Sequence, residues 1–184
     1  MAIVHQATLN PTKLELVTAR LDALGLGSGP VELIGGYRFD DPAGQVGVEG
    51  LIATRGDEAF HLPVTYRDAP LPGAERHLIA TMEHSVLGTR YVYDAAHDQV
   101  AVDCFLRALA GEQAQAEVLV HDAAGNLVER RVPPVTVTPA RTAVVRPDEL
   151  VLIRRLEVGA GQDPQGPALV AAWGEGRTAI VAFG

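Results

Sequence analysis

The segment TMEHSVLGTRYVYD, residues 81–94, gathers more chemistry-capable side chains than any other part of the chain: Glu83, His84, Ser85, Arg90, Tyr91, Tyr93 and Asp94. A carboxylate, an imidazole and a hydroxyl in a row suggest acid–base or nucleophilic chemistry, and an arginine beside two tyrosines suggests binding of a polar ligand. The segment reads as a β-hairpin turning at Val86 to Gly88. Side chains alternate faces along a strand, so Glu83 and Ser85 share one face, with Tyr91 a candidate to join them, while His84 points to the other. The three neighbours therefore do not form a triad. The simpler reading is a polar network that fixes strand register, with Arg90 paired to a carboxylate, and the sharper one is a ligand site. A second pair, Asp40 and Asp41 in YRFDDPAG, offers adjacent carboxylates for a cation or for acid–base work. Asp before Pro-x-Gly is also ordinary turn chemistry, because its side chain bonds the backbone two residues on.

Other chemistries find little support. The one lysine, Lys13, follows Thr12 and cannot complete a Gly-x-x-x-x-Gly-Lys phosphate loop. Neither serine, Ser28 or Ser85, sits in Gly-x-Ser-x-Gly. The six histidines are scattered without chelating spacing, and the glycines of GAGQDPQG (159–166) join strand patterns and lack a helix N-terminus to hold an anion. Cys104, the lone cysteine, lies on an apolar helix pattern and reads as an inert buried thiol. No catalytic residue, metal site or cofactor is expected.

The 184 residues carry a net charge of −8, with no basic stripe denser than Arg130-Arg131 or Arg154-Arg155. That argues against nucleic acid and against anionic membranes as partners. Hydrophobic residues make up 47% of the chain, enough to build a core. No apolar run approaches the ~20 residues of a membrane span. A single cysteine and no signal-like N-terminus point to the cytoplasm.

The elements that would position these groups follow from periodicity. Asn10 and Pro11 open a helix over 11–24, with Leu14, Val17, Leu21 and Leu24 at helical spacing. Residues 31–39, 46–55 and 59–67 read as an antiparallel meander, and Gly35, Gly36, Gly47 and Gly50 inside it predict bulges and strong curvature. The hairpin at 78–95 follows, then a helix capped by Asp98 and stopped by Gly111. Strands are expected near 113–121 and 127–137 around a DAAGN turn (122–126), and near 142–146, 149–158, 168–174 and 178–183. This order has no βαβ rhythm, so the fold class is α+β: a curved, mainly antiparallel sheet with two helices and a strand-rich tail. Residues 1–110 would form one domain, and 111–184 a β-rich extension, continuous with it or separate.

In YRFDDPAGQVGVEG, LPVTYRDAPLPGAE and TMEHSVLGTRYVYDA the sequence resembles the N-terminal cap domain of actinobacterial maltokinases over roughly residues 1–110. In that family a cap precedes a kinase that phosphorylates maltose. Residues 111–184 show no kinase motif, so the resemblance implies a freestanding cap-like protein near trehalose, maltose or α-glucan metabolism, and the family's catalytic residues are not carried over. The expected function is a noncatalytic interaction or regulatory module with a protein partner or a second copy of itself. The alternative is a saccharide- or small-molecule-binding protein, or an enzyme, using the concave sheet face with Glu83, Arg90, Tyr91, Tyr93 and Trp173.

Overall fold

The computed structural model describes residues 2–5, 8–121 and 127–184; the turn expected at 122–126 lies outside the described residues. The strands β1 (Ala2–His5) and β2 (Leu9–Asn10) lead into helix α1 (Lys13–Ala23). Thr12, not Asn10, caps that helix. Its hydroxyl accepts from the Glu15 amide while the Glu15 carboxylate accepts from the Thr12 amide, a reciprocal pair that starts the helix two residues later than Asn10 would.

The meander forms as its alternation predicts: β3 (Val31–Asp40), β4 (Gly47–Arg55) and β5 (Glu58–Arg67) pair antiparallel, with a register shift between Leu33 and Gly35. β6 (Leu78–His84) and β7 (Gly88–Asp94) form the expected hairpin, and Asp98 caps helix α2 (Gln99–Leu109). β4 is buried on both faces. Leu51 and Ala53 pack with Leu16, Val17 and Leu21 of α1, whereas Val48 and Ile52 face Phe105 and Leu109 of α2. A two-faced core is why this strand reads as a nearly continuous apolar run.

The chain beyond α2 adds β8 (Val118–His121), β9 (Leu127–Arg131), β10 (Val135–Ala140), β11 (Val151–Leu152), β12 (Arg155–Leu156), β13 (Ala168–Trp173) and β14 (Arg177–Phe183). One sheet runs β2-β6-β7-β5-β4-β3 with β12 also on β5; a second runs β10-β13-β14-β11; a third is β1-β8-β9, in which β1 and β8 are parallel. The fold is thus α+β, with two helices, a curled antiparallel sheet and a strand-rich C-terminal region. No helix among the described residues is long and apolar enough to cross a membrane.

Three strand expectations change. The strand expected at 127–137 breaks at Pro133-Pro134 into β9, which pairs β8, and β10, which pairs β13 in another sheet. Residues 142–146 are irregular: Val144 stands in solvent and Val145 alone of the segment reaches the core. The expected strand at 149–158 divides: β11 pairs β14, and β12 crosses to pair β5. At the outer edge of β10, the Gln115 side chain imitates a neighbouring strand, its amide nitrogen donating to the Val135 carbonyl and its oxygen accepting from the Val137 amide. That closes an edge open to another chain.

Gly50 lies under the ring of its cross-strand partner Tyr37, and a Cβ at this position would overlap that ring. Gly50→Ala is therefore expected to destabilise the protein by about 1–3 kcal/mol, read as a lower urea midpoint at constant slope.

Candidate functional site

The hairpin's polar residues turn toward one another. The Thr89 hydroxyl donates to both oxygens of Glu83, its cross-strand partner, at 2.9 and 3.1 Å. His84 Nδ1 accepts from the amides of Val86 and Leu87, so the imidazole closes the turn. Ser85 Oγ accepts from the Thr8 amide, and Arg90, expected beside a carboxylate, instead donates to the Leu87 carbonyl, which the tight turn brings within reach, while its Nε is buried without a partner among the described residues. Tyr93 is buried, its hydroxyl accepting from the Leu71 amide and tying down the 68–74 loop, while Tyr91 is half-buried on β7. Asp41 accepts from the amides of Ala43, Gln45 and Val46; although burial would raise its pKa, those bonds hold it down. The Asp40 carbonyl accepts from Gln113. The structure brings Glu83, His84, Ser85 and Arg90 together around one turn and leaves Asp40 and Asp41 on another.

Three carboxylates hold the elements together: Glu49, which sequence reasoning passed over, Asp98, which it saw only as a helix cap, and Asp94, which it grouped with the hairpin. The Glu49 carboxylate, nearly inaccessible on β4, accepts from Lys13 of α1 at 2.7 Å, Arg38 of β3 at 3.4 Å and the Tyr66 hydroxyl at 2.9 Å. Burial would raise its pKa, and the cations Lys13 and Arg38 outweigh it, bringing it down to about 2. Asp98, fully buried, accepts both parallel bonds of the Arg67 fork at 2.7 Å, the Thr65 hydroxyl at 2.8 Å and the Val100 amide that it caps. Asp94, at the end of β7, accepts from Arg20 of α1 at 3.0 Å, from Arg154 just before β12, and from the Ala96 amide at 3.1 Å. Burial opposes the charge on Asp94 and on Asp98, and the arginines keep both below the usual carboxylate range.

Beside Asp94 lies His61, inside the core. Its Nδ1–H donates to the Ile153 carbonyl, which leaves Nε2 to accept from the Tyr37 hydroxyl, both at 2.9 Å. Burial drives its pKa down to about 3, so the ring stays neutral. Cys104 is also buried, and burial pushes its thiol up, which suits an inert residue. Among the described residues, no group of three or more His, Cys, Asp or Glu is placed to hold a metal ion.

This arrangement defines a small α+β sheet domain in which charge locks a curved sheet to its neighbours. Residues 25–98 match the family model of the maltokinase N-terminal cap domain, so this stretch of the chain is similar to that cap. The match takes in the meander and the hairpin and ends on the helix-capping Asp98. Glu49, Asp94 and Asp98 lie within it, whereas Arg20 and Arg154 reach Asp94 from either side of it. Comparison with curated proteins finds no match.

Asp94→Asn is expected to cost about 2 kcal/mol, below the full penalty for a buried pair because both arginines are about one-quarter exposed. A double-mutant cycle with Arg154→Met, read by urea unfolding, should return a coupling of about 1 kcal/mol or more. Stability should also fall as pH drops from about 6.5 toward about 3, because the unfolded chain takes a proton on His61 that the folded protein refuses. Below about pH 4.5 the depressed carboxylates of Glu49, Asp94 and Asp98 add to the loss. Urea midpoints between pH 7 and pH 5 check the first part, and His61→Gln should flatten the slope there.

Proposed function

We propose that the protein is a noncatalytic docking or regulatory module of α-glucan metabolism, working in the cytoplasm, whose β6–β7 hairpin engages a sugar-metabolising enzyme or a second copy of itself. One observation supports this most: around the turn, Glu83 accepts from Thr89, His84 from the Val86 and Leu87 amides and Ser85 from Thr8, while the tip presents Val86 and Leu87 at 55% and 45% exposure. A rigid turn carrying two adjacent aliphatic side chains suits an anchor at the centre of a protein interface. The cap-domain match over residues 25–98 supports the metabolic setting, and a single buried cysteine suits a reducing compartment.

Of the three aromatic groups that a saccharide site on the concave face would use, Tyr91 is half-buried and two are out of reach. Tyr93 and Trp173 lie in the core at 1% and 5% exposure and offer no ring face to a sugar.

Size-exclusion chromatography with light scattering, on the protein alone and mixed with a maltose-phosphorylating enzyme, tests the reading. A complex should form, and Val86→Asp with Leu87→Asp should abolish it while leaving the thermal midpoint within a few degrees. Absence of both self-association and the complex overturns the reading. So does a thermal shift with maltose or linear α-glucan that survives the double substitution, which would favour a saccharide-binding role.

A further inference from the structure

On a protein of net charge −8, one surface region carries the opposite sign. A 3₁₀ turn at Glu75–His77 precedes β6 and another at Ala95–His97 follows β7, so the open end of the hairpin sets their histidines face to face. The His77 and His97 rings stack with centroids 3.4 Å apart and planes 15° from parallel. Arg76 Nε donates to His77 Nε2 at 3.0 Å, an arginine whose one partner here is a neutral imidazole. Arg20 and Arg154 converge on Asp94 next to them.

The charges do not balance. Asp94 is taken by Arg20 and Arg154, while Arg76 donates only to His77 and the two imidazoles stack on each other, so no carboxylate among the described residues bonds Arg76 or the ring pair. The nearby Glu75 carboxylate is turned to the Gly73 amide, and Asp98 is held by Arg67. Partial desolvation, and the positive fields of His97, Arg76 and Arg20 against the single opposing charge of Asp94, depress the pKa of His77. An arginine with free fork donors, beside two rings able to become cations, is the chemistry that recognises a tetrahedral oxyanion.

We propose that Arg76, His77 and His97, backed by the Arg20–Asp94–Arg154 clasp, form a binding site for a phosphate group, either free or carried as a small phosphomonoester. Arg76 would release His77 Nε2 and direct its fork at the anion, and a protonated imidazole would supply a second charged donor. A phosphomonoester loses its second proton near pH 6, and the dianion beside His77 would draw that ring's depressed pKa back up, so that binding takes up a proton. The inference is independent of the docking role of the hairpin tip, which lies at the opposite end of β6 and β7.

The test follows the imidazole proton resonances of His77 and His97 in the full chain during titration with inorganic phosphate, methyl phosphate and sulfate, against chloride at equal ionic strength. Saturable shifts confined to these two histidines are expected with phosphate, with the apparent pKa of His77 rising by about one unit. Arg76→Gln should weaken binding about tenfold or more, and Arg76→Lys should recover part of it. A response to inorganic phosphate but not methyl phosphate would assign the site to the free ion, and equal responses to the ester class. The proposal is overturned if the shifts match those in chloride, or if Arg76→Gln, folded with an unchanged thermal midpoint, binds phosphate as the parent protein does.

Discussion

One edge of β5 is shared, and the rest of the structure depends on how it is shared. β4 covers the opposite edge over residues 58–66, while β7 pairs only residues 64–67. The remaining stretch would leave backbone groups unpaired beside the core, a desolvation penalty no other part of the cap sheet can relieve. β12 relieves it by pairing Phe60 and Ala59, and the His61 amide, next to the gap, donates to the Arg154 carbonyl at 2.8 Å. The C-terminal region thus supplies a strand to the cap sheet and shares its core, where Tyr37, Phe39 and Phe105 meet Trp173, Leu169 and Val181.

Charge then secures what pairing begins. Asp94 sits where β7 stops, and its two arginines come from the helix before the meander and from the segment that delivers β12. Glu49 and Asp98 do the same for α1 and α2. Each carboxylate is desolvated and would be unfavourable alone; each is neutralised by a cation from another element, so moving that element strands a charge. Buried pairs of this kind add less to net stability than they add to the penalty for misplacing a helix. The hairpin's own polar groups serve its turn in the same manner, which leaves the aliphatic tip as its outward feature.

Where information was local, the sequence was sufficient. The meander, the hairpin, Asp98 as a helix cap and the inert setting of Cys104 all follow from alternation, turn residues and neighbours within a few positions. The polar network that fixes the hairpin was legible only in part: a register-fixing network was expected, but its bond runs from Thr89 to Glu83, and Arg90 turns to the Leu87 carbonyl and not to a carboxylate. The clasps were not legible. Arg20 and Arg154 lie 74 and 60 positions from Asp94, and nothing in either segment marks them as partners. The division of 149–158 between two sheets was hidden likewise, because an apolar run does not reveal which edge it will meet. Thr12 is different: the Thr12-x-x-Glu15 spacing was present, and the preceding Asn-Pro masked it.

The central claim is that the C-terminal strands and the cap sheet form one cooperative structure joined at β5. Native-state hydrogen exchange at the His61 amide tests it most directly, compared with amides of β4 and of β13. The account predicts that all three exchange only through the same large opening, with matching free energies and matching denaturant dependence. Rapid exchange at His61, or opening of β13 and β14 at clearly lower free energy while β4 stays protected, would contradict it.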